Sequence, residues 1–335
     1  MAAPAPETAA TAADWRALTE PYRRSDDRIA WRQLVVTVPA YGALLAAMLV
    51  SLRGPYLVTL LLALPAAGLL ARIFVLFHDC GHGSLFTRER HNVVAGTLLG
   101  LLVWESFHYW RYIHAVHHAT AGHLDRRGTG DYDTWTVDEY RAASGGRRLV
   151  YRVSRHPLFL FVVLPFFKFT VYNRLRLRPA PQPASRSVPL TNAALLLAYG
   201  GAAVLVGWRE LLLVLLPVYW LASFIGLWLF YVQHQFEQAW WARDAQWDPL
   251  SAALRGSSYY RLPAWMNWFT ADIAYHHVHH LSPRIPNYRL ADCHRAYAPL
   301  QRAPTLTLRD SLKTLRCHLW DERQGRMVSF GSLPR

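Results

Sequence analysis

Residues 265–290 read WMNWFTADIAYHHVHHLSPRIPNYRL, and four of the five positions from 276 to 280 are histidine. Side chains at i, i+3 and i+4 share a helical face, so the spacing predicts that His276, His279 and His280 aim three imidazoles at one point. His277 points elsewhere. Histidine is the commonest metal ligand among side chains, whereas three neighbouring imidazoles contribute little to the stability of a helix. The stretch therefore predicts a metal site.

Two further histidine clusters repeat this spacing. HDCGH places His78 and His82 four residues apart, on one helical face. HAVHH places His114, His117 and His118 in the same i, i+3, i+4 pattern. The three clusters supply eight candidate ligands, whereas a tetrahedral zinc site needs four and a catalytic one takes three from the protein. The number of imidazoles therefore indicates two metal ions.

The composition favours a membrane protein. Hydrophobic residues make up 53% of the 335 residues and charged residues only 17%, whereas soluble proteins carry about 25% charged residues. The net charge of +14 comes mainly from arginines interleaved with apolar runs, which suits anionic lipid headgroups better than nucleic acid. The three cysteines are widely spaced and predict no disulfide framework. Cys80, inside HDCGH, is interpreted as a small spacer, with a ligand role as the alternative.

Four apolar runs form two predicted transmembrane hairpins, 34–52 with 56–77 and 190–207 with 211–232, each run being close to the roughly 20 residues that cross a bilayer. Each hairpin ends its second run next to a histidine, His78 or His234, and this parallel makes His234 a ninth ligand candidate. Arginines in the N-terminal tail place both hairpin ends in the cytoplasm by the positive-inside rule. Arg72, near the end of the second run, is expected to snorkel to that surface.

The remaining segments predict helices at the membrane surface and a cap. The apolar stretches 93–107 and 158–172 are too short for confident spans and are interpreted as embedded or interfacial helices. The predicted fold is an all-α integral membrane protein with about four spans, interfacial helices and a cytoplasmic helical cap that carries the site for two metal ions, which the resemblance described below implies to be a di-iron site. Residues 1–33 form a cytoplasmic tail, and 34–335 form a single domain with the histidine clusters at 78–82, 114–118 and 276–280.

Several polar residues are candidates for supporting the histidines. Asp125, Asp131 and Asp133 follow the second cluster and could accept hydrogen bonds from histidine N–H groups, although solvated loop charge is the expected role for most of them. Asp272 lies four residues before His276 and could accept its second ring proton. His108 and His123 flank the second cluster and are interpreted as hydrogen-bonding or surface histidines, and His294 and His318 are isolated in the basic C-terminal tail.

Ligand type alone leaves the metal open, since imidazole suits zinc, copper, iron and nickel. Structural zinc is unexpected at a membrane face, and the Glu-x-x-His pairs of soluble di-iron bundles are absent from the clusters. Two irons on nitrogen ligands could activate O2 and abstract hydrogen from an unactivated C–H bond. A site at the membrane interface can receive an apolar chain from the bilayer and electrons from a soluble donor, and it can exclude water.

The three clusters, with QHQFE and HHLSPRIPNY, resemble those of the membrane fatty acid desaturase family, particularly the bacterial acyl-lipid desaturases. The resemblance covers most of the chain, including GTGDYDTWTVDEY and the stretch from GSSYYRLP to RIPNYRL. It implies an oxidoreductase of the bacterial inner membrane with two iron ions as cofactors, O2 as co-substrate and its active site on the cytoplasmic side. It also implies an acyl-lipid substrate and a separate ferredoxin-like or similar electron donor. The implied catalytic ligands are His78, His82, His114, His117, His118, His276, His279 and His280, with His234 as a further metal ligand.

Two alternatives remain open at the level of the sequence. The same metal site could hydroxylate or ketolate an acyl chain or a carotenoid, because these reactions differ only in whether the substrate radical loses a second hydrogen or gains OH. A non-catalytic membrane metal carrier or sensor is the third hypothesis. It predicts histidines lining a path between spans, whereas these histidines cluster on one side.

Overall fold

The computed structural model describes residues 11–333, and α-helices dominate it. In the first half of the chain the helices are α1 (Ala12–Thr19), α2 (Asp27–Ser51), α3 (Tyr56–His82), α4 (Glu89–Leu102), α5 (Phe107–Thr120), α6 (Val137–Ala142), α7 (Gly145–Ser154) and α8 (Leu164–Thr170). In the second half they are α9 (Gln182–Val206), α10 (Trp208–His234), α11 (Pro249–Arg255), α12 (Ala264–Phe269), α13 (His276–Leu281), α14 (Asn287–Ala296), α15 (Ala298–Gln301) and α16 (Leu308–Lys313).

Four helices, α2, α3, α9 and α10, are long and apolar enough to cross a membrane. They pair in sequence as the two predicted hairpins, and the all-α fold with four spans is confirmed. The link of the second hairpin was predicted wrongly at 208–210. Trp208 already begins α10, and Gly207 alone makes the turn with φ of 96°, a left-handed conformation that glycine adopts without steric cost.

Helix α3 is the central span. In its most apolar window 61% of the residues are buried, against 6% for α9. The expectation that Arg72 snorkels to the surface is wrong, because its side chain is only 6% exposed. Its guanidinium donates to Thr37 Oγ1 on α2 and to the Trp268 carbonyl on α12, and it lies 4.6 Å above the Trp268 ring. Arg72 thus joins two spans to the segment that leads into the third histidine cluster.

Helices α4 and α5 form a hairpin that packs against α3. The short helix predicted at 93–107 is present as α4, but it ends at Leu102 rather than at Phe107. The chain breaks between α4 and α5, where Trp104 has φ of 56°. The hydroxyl of Tyr199 donates to the Leu101 carbonyl and that of Tyr219 to the Leu102 carbonyl. These bonds satisfy carbonyls at the end of α4 that have no partner within the helix, and the break returns α5 towards the ends of α3 and α10.

The segment predicted as one short helix at 158–172 consists of a π-helical turn, Phe159–Val163, followed by α8. After α10, residues 235–333 form a cap of short helices with two small sheets. Strands β1 (Tyr259–Tyr260) and β2 (Thr305–Leu306) are parallel, whereas β3 (Leu319–Asp321) and β4 (Arg326–Val328) are antiparallel. Within the predicted N-terminal tail, residues 1–10 lie outside the described part, and 11–33 contain α1 and the start of α2. The division at residue 33 stays a prediction.

Candidate metal centre

Five histidines from three helices form the first of two groups. His78 and His82 lie one turn apart at the end of α3, and His114 and His118 lie one turn apart on α5. His279 of α13 completes the group, and one ring nitrogen of each residue lies within 4.8 Å of the others. The end of the span α3, the helix α5 and the short helix α13 of the cap therefore meet at one point.

The second group contains His117, His234 and His280, whose ring nitrogens also lie within 4.8 Å of one another. His276 adjoins it, with Nε2 at 2.9 Å from His234 Nε2 and 3.2 Å from His280 Nε2. The two groups touch where the rings of His118 and His280 stack at 4.3 Å. The structure thus brings together all nine histidines that the sequence singled out, including His234 from outside the three clusters.

The prediction that His276, His279 and His280 converge on one point is wrong. Side chains four residues apart are separated by only about 40° around the helix, so both histidines of such a pair face the same group. The histidine at i+3, which lies between them in the sequence, faces the other group. Accordingly His276 and His280 face the second group and His279 the first. Helix α5 obeys the same rule with the groups exchanged. Each H-x-x-H-H cluster therefore contributes histidines to both groups and connects them.

The donor set fits metal ions. The four Nε2···Nε2 contacts within the two groups measure 2.9–3.2 Å. Six nitrogens arranged as an octahedron about 2.1 Å from an ion would be separated by about 3.0 Å along each edge. In addition, Nε2 of His78, His82 and His117 is buried without a hydrogen-bond partner among the described residues. Buried nitrogens without partners are costly, and cations coordinated by them would remove that cost.

The protonation states suit the same role. Burial, followed by the repulsion of neighbouring imidazoles, holds the pKa well below its usual value for five of these residues, namely His114, His118, His276, His279 and His280. Their rings are therefore neutral near pH 7, and each keeps a lone pair for coordination.

The second ring nitrogen of His78 is held by a network that the sequence analysis missed. His78 Nδ1 lies 3.1 Å from Asp79 Oδ1. The other carboxylate oxygen of Asp79 accepts from the backbone N–H of Asn287 at 2.7 Å and from its side-chain amide at 2.8 Å. Gln33 in turn donates to the Asn287 side chain at 2.8 Å. The position of Asp79 between two candidate ligands, and the PNY triplet quoted above, were the available signals.

Two histidines of the second group are oriented in the same way. His117 Nδ1 contacts the Asp131 carboxylate, as expected for one of the loop acids. His234 Nδ1 donates to the Gly256 carbonyl at 3.3 Å. Each of these bonds fixes the ring and leaves Nε2 facing the group. Asp125 and Asp133 do not act in this way: Asp125 pairs with Arg243 at 2.6 Å, and Asp133 accepts from Trp135 Nε1 at 2.9 Å.

A buried arginine fixes the loop that carries Asp131. Arg155 is 3% exposed and donates to the Asp133 carbonyl at 2.7 Å and to Thr134 Oγ1 at 3.2 Å. It also reaches Gln235 Oε1 at 3.4 Å, and Gln235 donates to Thr134 Oγ1 at 3.0 Å. Because Gln235 follows His234 directly, the loop and the end of α10 are held in one network.

Three other expectations have clear outcomes. The prediction that Asp272 accepts from His276 is wrong: His276 Nδ1 has no hydrogen-bond partner in residues 11–333, and Asp272 interacts instead with the charge of Arg72. His277 does point away from both groups, but His294 is not isolated, because its Nδ1 lies 3.1 Å from His277 Nε2. Cys80 is buried and belongs to neither group among the described residues, in agreement with the spacer interpretation.

Aromatic side chains line both groups on the side of the spans. Trp110 stacks on His114 at 4.4 Å and packs against Phe77 at 4.9 Å. Phe230 lies 5.1 Å from the rings of both His117 and His234. Aromatic rings therefore form an apolar wall beside both groups.

Four apolar spans, together with nine convergent histidines from α3, α5, α10 and α13, define the class as membrane proteins with a polyhistidine centre suited to metal ions. The family model described as fatty acid desaturase matches residues 53–310. The chain belongs to the fatty acid desaturase family, and it is an oxidoreductase that desaturates fatty acyl chains. The prediction of a desaturase is thereby confirmed over the hydroxylase and carrier alternatives.

Individual relatives agree with this assignment. A fatty acid desaturase of Bacillus subtilis is 43% identical over 296 residues, which are 88% of this chain and 84% of that protein. An sn-1 oleoyl-lipid 12-desaturase of Synechocystis is 27% identical, over 78% of this chain and 76% of that protein. A temperature-sensitive sn-2 acyl-lipid omega-3 desaturase (ferredoxin) of Arabidopsis thaliana is 29% identical, over 68% of this chain and 54% of that protein.

Proposed function

We propose that the nine histidines hold two iron ions and that the chain uses O2 to introduce a double bond into the acyl chain of a membrane lipid. The observation that carries this proposal is the arrangement of nine imidazoles in two touching groups next to the ends of the spans α3 and α10. The first ion would be held by His78, His82, His114, His118 and His279. The second would be held by His117, His234, His276 and His280.

Bound iron would supply the reduction of O2 and the removal of two hydrogens from adjacent carbons. In this reaction one CH2–CH2 unit, one O2, two electrons and two protons are converted into one CH=CH unit and two water molecules. The chain's own residues orient the ligands for this reaction. Asp79 and Asp131 hold the Nδ1 proton of His78 and His117, so that Nε2 of each ring faces its ion with raised basicity.

The aromatic wall suits an acyl substrate. Trp110 and Phe230 offer flat apolar surfaces beside the first and second groups respectively, and Phe230 belongs to the span α10. An acyl chain entering from the bilayer would pack on these rings with two adjacent carbons against the imidazoles, while water stays excluded. The names of the Synechocystis and Arabidopsis relatives, which state lipid-linked acyl substrates, favour a membrane lipid over a free acid.

We infer that a separate protein of ferredoxin type or similar supplies the electrons. The name of the Arabidopsis relative includes ferredoxin, which supports this choice. We also place the protein in the bacterial inner membrane with the histidines on the cytoplasmic side. The tail before α2 and the first turns of α2 carry five arginines, Arg16, Arg23, Arg24, Arg28 and Arg32, whereas the link between α2 and α3 carries only Arg53, and the basic side of a span faces the cytoplasm.

The test is expression in a bacterial host, followed by fatty acid profiling with location of double bonds and by iron analysis of the purified protein. We expect new double bonds in membrane lipids and two irons per chain. The variant His279→Ala, expressed to the same level in the membrane, should give no new double bonds. New hydroxyl or keto groups in place of double bonds, or full activity in an iron-free preparation, would contradict the proposal.

A further inference from the structure

Helix α7, GGRRLVYRVS, presents two opposite faces. Tyr151 is buried on one face, where its hydroxyl donates to the His318 carbonyl at 2.6 Å and accepts from the Trp135 N–H at 3.0 Å. Leu149, Val150 and Val153 are 62%, 70% and 48% exposed. With about 100° between successive residues, these three lie within one arc of about 100° opposite Tyr151. The helix therefore holds the cap with one side and leaves an apolar face uncovered.

The position of α7 places this face at the membrane surface. Arg155, directly after the helix, reaches Gln235, the first residue after the span α10. A few residues later Phe161 packs against Trp228 and Tyr231 of α10, at 5.0 Å and 5.1 Å. Helix α7 is bent by 56° from the segment that runs beside α10. The chain therefore changes direction between α7 and that segment, close to the end of α10.

The charges on α7 complete the pattern. The helix contains three arginines and no acidic residue. Arg152 donates to Tyr140 and Arg147 lies 5.4 Å from the Trp135 ring, so both guanidinium groups bind the cap. Arg148 is exposed, and its guanidinium has no ion pair within residues 11–333. An exposed apolar arc beside an arginine that lacks an anion is the pattern of a helix lying in the plane of a bilayer interface.

We propose that α7 is an interfacial anchor on the histidine side of the membrane. Leu149, Val150 and Val153 enter the acyl region, and Arg148 binds the phosphate of an anionic phospholipid. The occupant of the uncovered face is the bilayer itself, because exposed apolar side chains continue along the next segment at Leu158, Val163 and Phe167 and α7 carries only positive charge. This anchor also steadies the loop that carries Asp131, since Arg155 binds that loop at the end of α7.

The apolar part of the proposal is tested by measuring depth. The full chain is reconstituted in nanodiscs that contain brominated lipids, and a fluorescent label is attached at Val150→Cys. The three native cysteines are buried and should not react. Leu196→Cys on α9, at a position that is 76% exposed, gives the lipid reference, and Gln324→Cys in the β3–β4 turn gives the water reference. We expect quenching at position 150 of at least half that at position 196. Quenching equal to that at position 324 would overturn the anchor.

The charge part is tested by lipid composition. With the label at position 150, nanodiscs of phosphatidylcholine alone are compared with nanodiscs that contain one third phosphatidylglycerol. We expect stronger quenching in the anionic nanodiscs and loss of that increase in Arg148→Gln. The control Arg323→Gln, another exposed arginine, should keep the increase. An unchanged increase in Arg148→Gln would exclude a headgroup site at Arg148. Neither readout depends on iron or desaturation, so failure of the anchor is distinguishable from failure of the proposed function.

Discussion

His277 and His279 lie two residues apart on one short helix and have different surroundings. His279 Nε2 is 3.0 Å from His118 Nε2 in the first group, whereas His277 turns back to His294. We therefore expect His279→Ala to lose at least one of the two proposed iron ions, and His277→Ala to retain both with a smaller loss of activity. Metal analysis of purified protein, normalised to chain concentration, distinguishes the two.

The level of protein in the membrane is the control for this pair. Apolar spans, rather than the histidines, determine insertion, so both variants should reach the level of the unmodified chain. Equal and complete loss of metal in both variants would contradict the assignment of His277 to a structural role.

Asp131 allows a sharper test of how the ligands are held. Asp131→Asn removes the carboxylate that contacts His117, and the loss of such a partner typically lowers metal affinity or activity about 10- to 100-fold. Asp125→Asn is the matched control, because that acid lies on the same loop but pairs with Arg243. Iron titration of the metal-free protein measures both affinities. A similar reduction in the two variants would indicate that loop charge in general, and not the contact with His117, matters.

At the residue scale, spacing predicted which histidines converge but not how they divide. A pattern of i, i+3 and i+4 residues identifies a broad helical face, and only the placement of α5 against α13 decides that i+3 turns to the other group. The partner of His78 was likewise hidden, because Asp79 is fixed by Asn287, 208 residues later in the chain.

Between elements, small residues set how closely the helices that carry the histidines approach. Gly81 lies in HDCGH on α3, and an added Cβ would lie 2.7 Å from the ring of Trp110 on α5. That ring stacks on His114. We expect Gly81→Ala to shift Trp110 and His114, to lower stability by about 1–3 kcal/mol and to reduce desaturation strongly.

Gly42→Ala is the control for Gly81→Ala, because nothing lies within 4 Å of a Cβ added there on α2. It should leave activity unchanged and stabilise slightly, since alanine favours helix over glycine. Thermal unfolding in detergent and lipid profiling of the host compare the two variants. If Gly81→Ala left both thermal stability and desaturation unchanged, α3 and α5 would be able to separate without cost to the site.

The spans themselves were predictable because a run of about 20 apolar residues has few other stable states. The positions at which the helices break were not predictable from the sequence. The end of α4 depends on hydroxyls of Tyr199 and Tyr219, about 100 residues away along the chain, and a local pattern carries no trace of such partners. The buried position of Arg72 was missed for the same reason, since Trp268 and Thr37 are distant in sequence.

At the scale of the whole molecule, the nine histidines come from four helices, α3, α5, α10 and α13, that are joined by long connections. Many buried imidazoles without protein partners are unfavourable on their own. Ions that bind only the folded arrangement stabilise it, by about 2.7 kcal/mol when free metal exceeds the dissociation constant 100-fold. The proposed irons would thus hold the cap to the spans as well as supply chemistry.

We therefore expect removal of metal by a chelator to lower the thermal unfolding temperature and to expose the cap to proteolysis, while the spans stay in the membrane. Reloading with iron should restore both properties in the unmodified chain and in His277→Ala, whose residue 277 lies outside both groups. His279→Ala should gain less on reloading, because one group is incomplete. Differential scanning fluorimetry with and without iron measures the shift. If the metal-free protein unfolded at the same temperature as the loaded one, the ions would not join the four helices, and the packing of the cap alone would account for the convergence of the histidines.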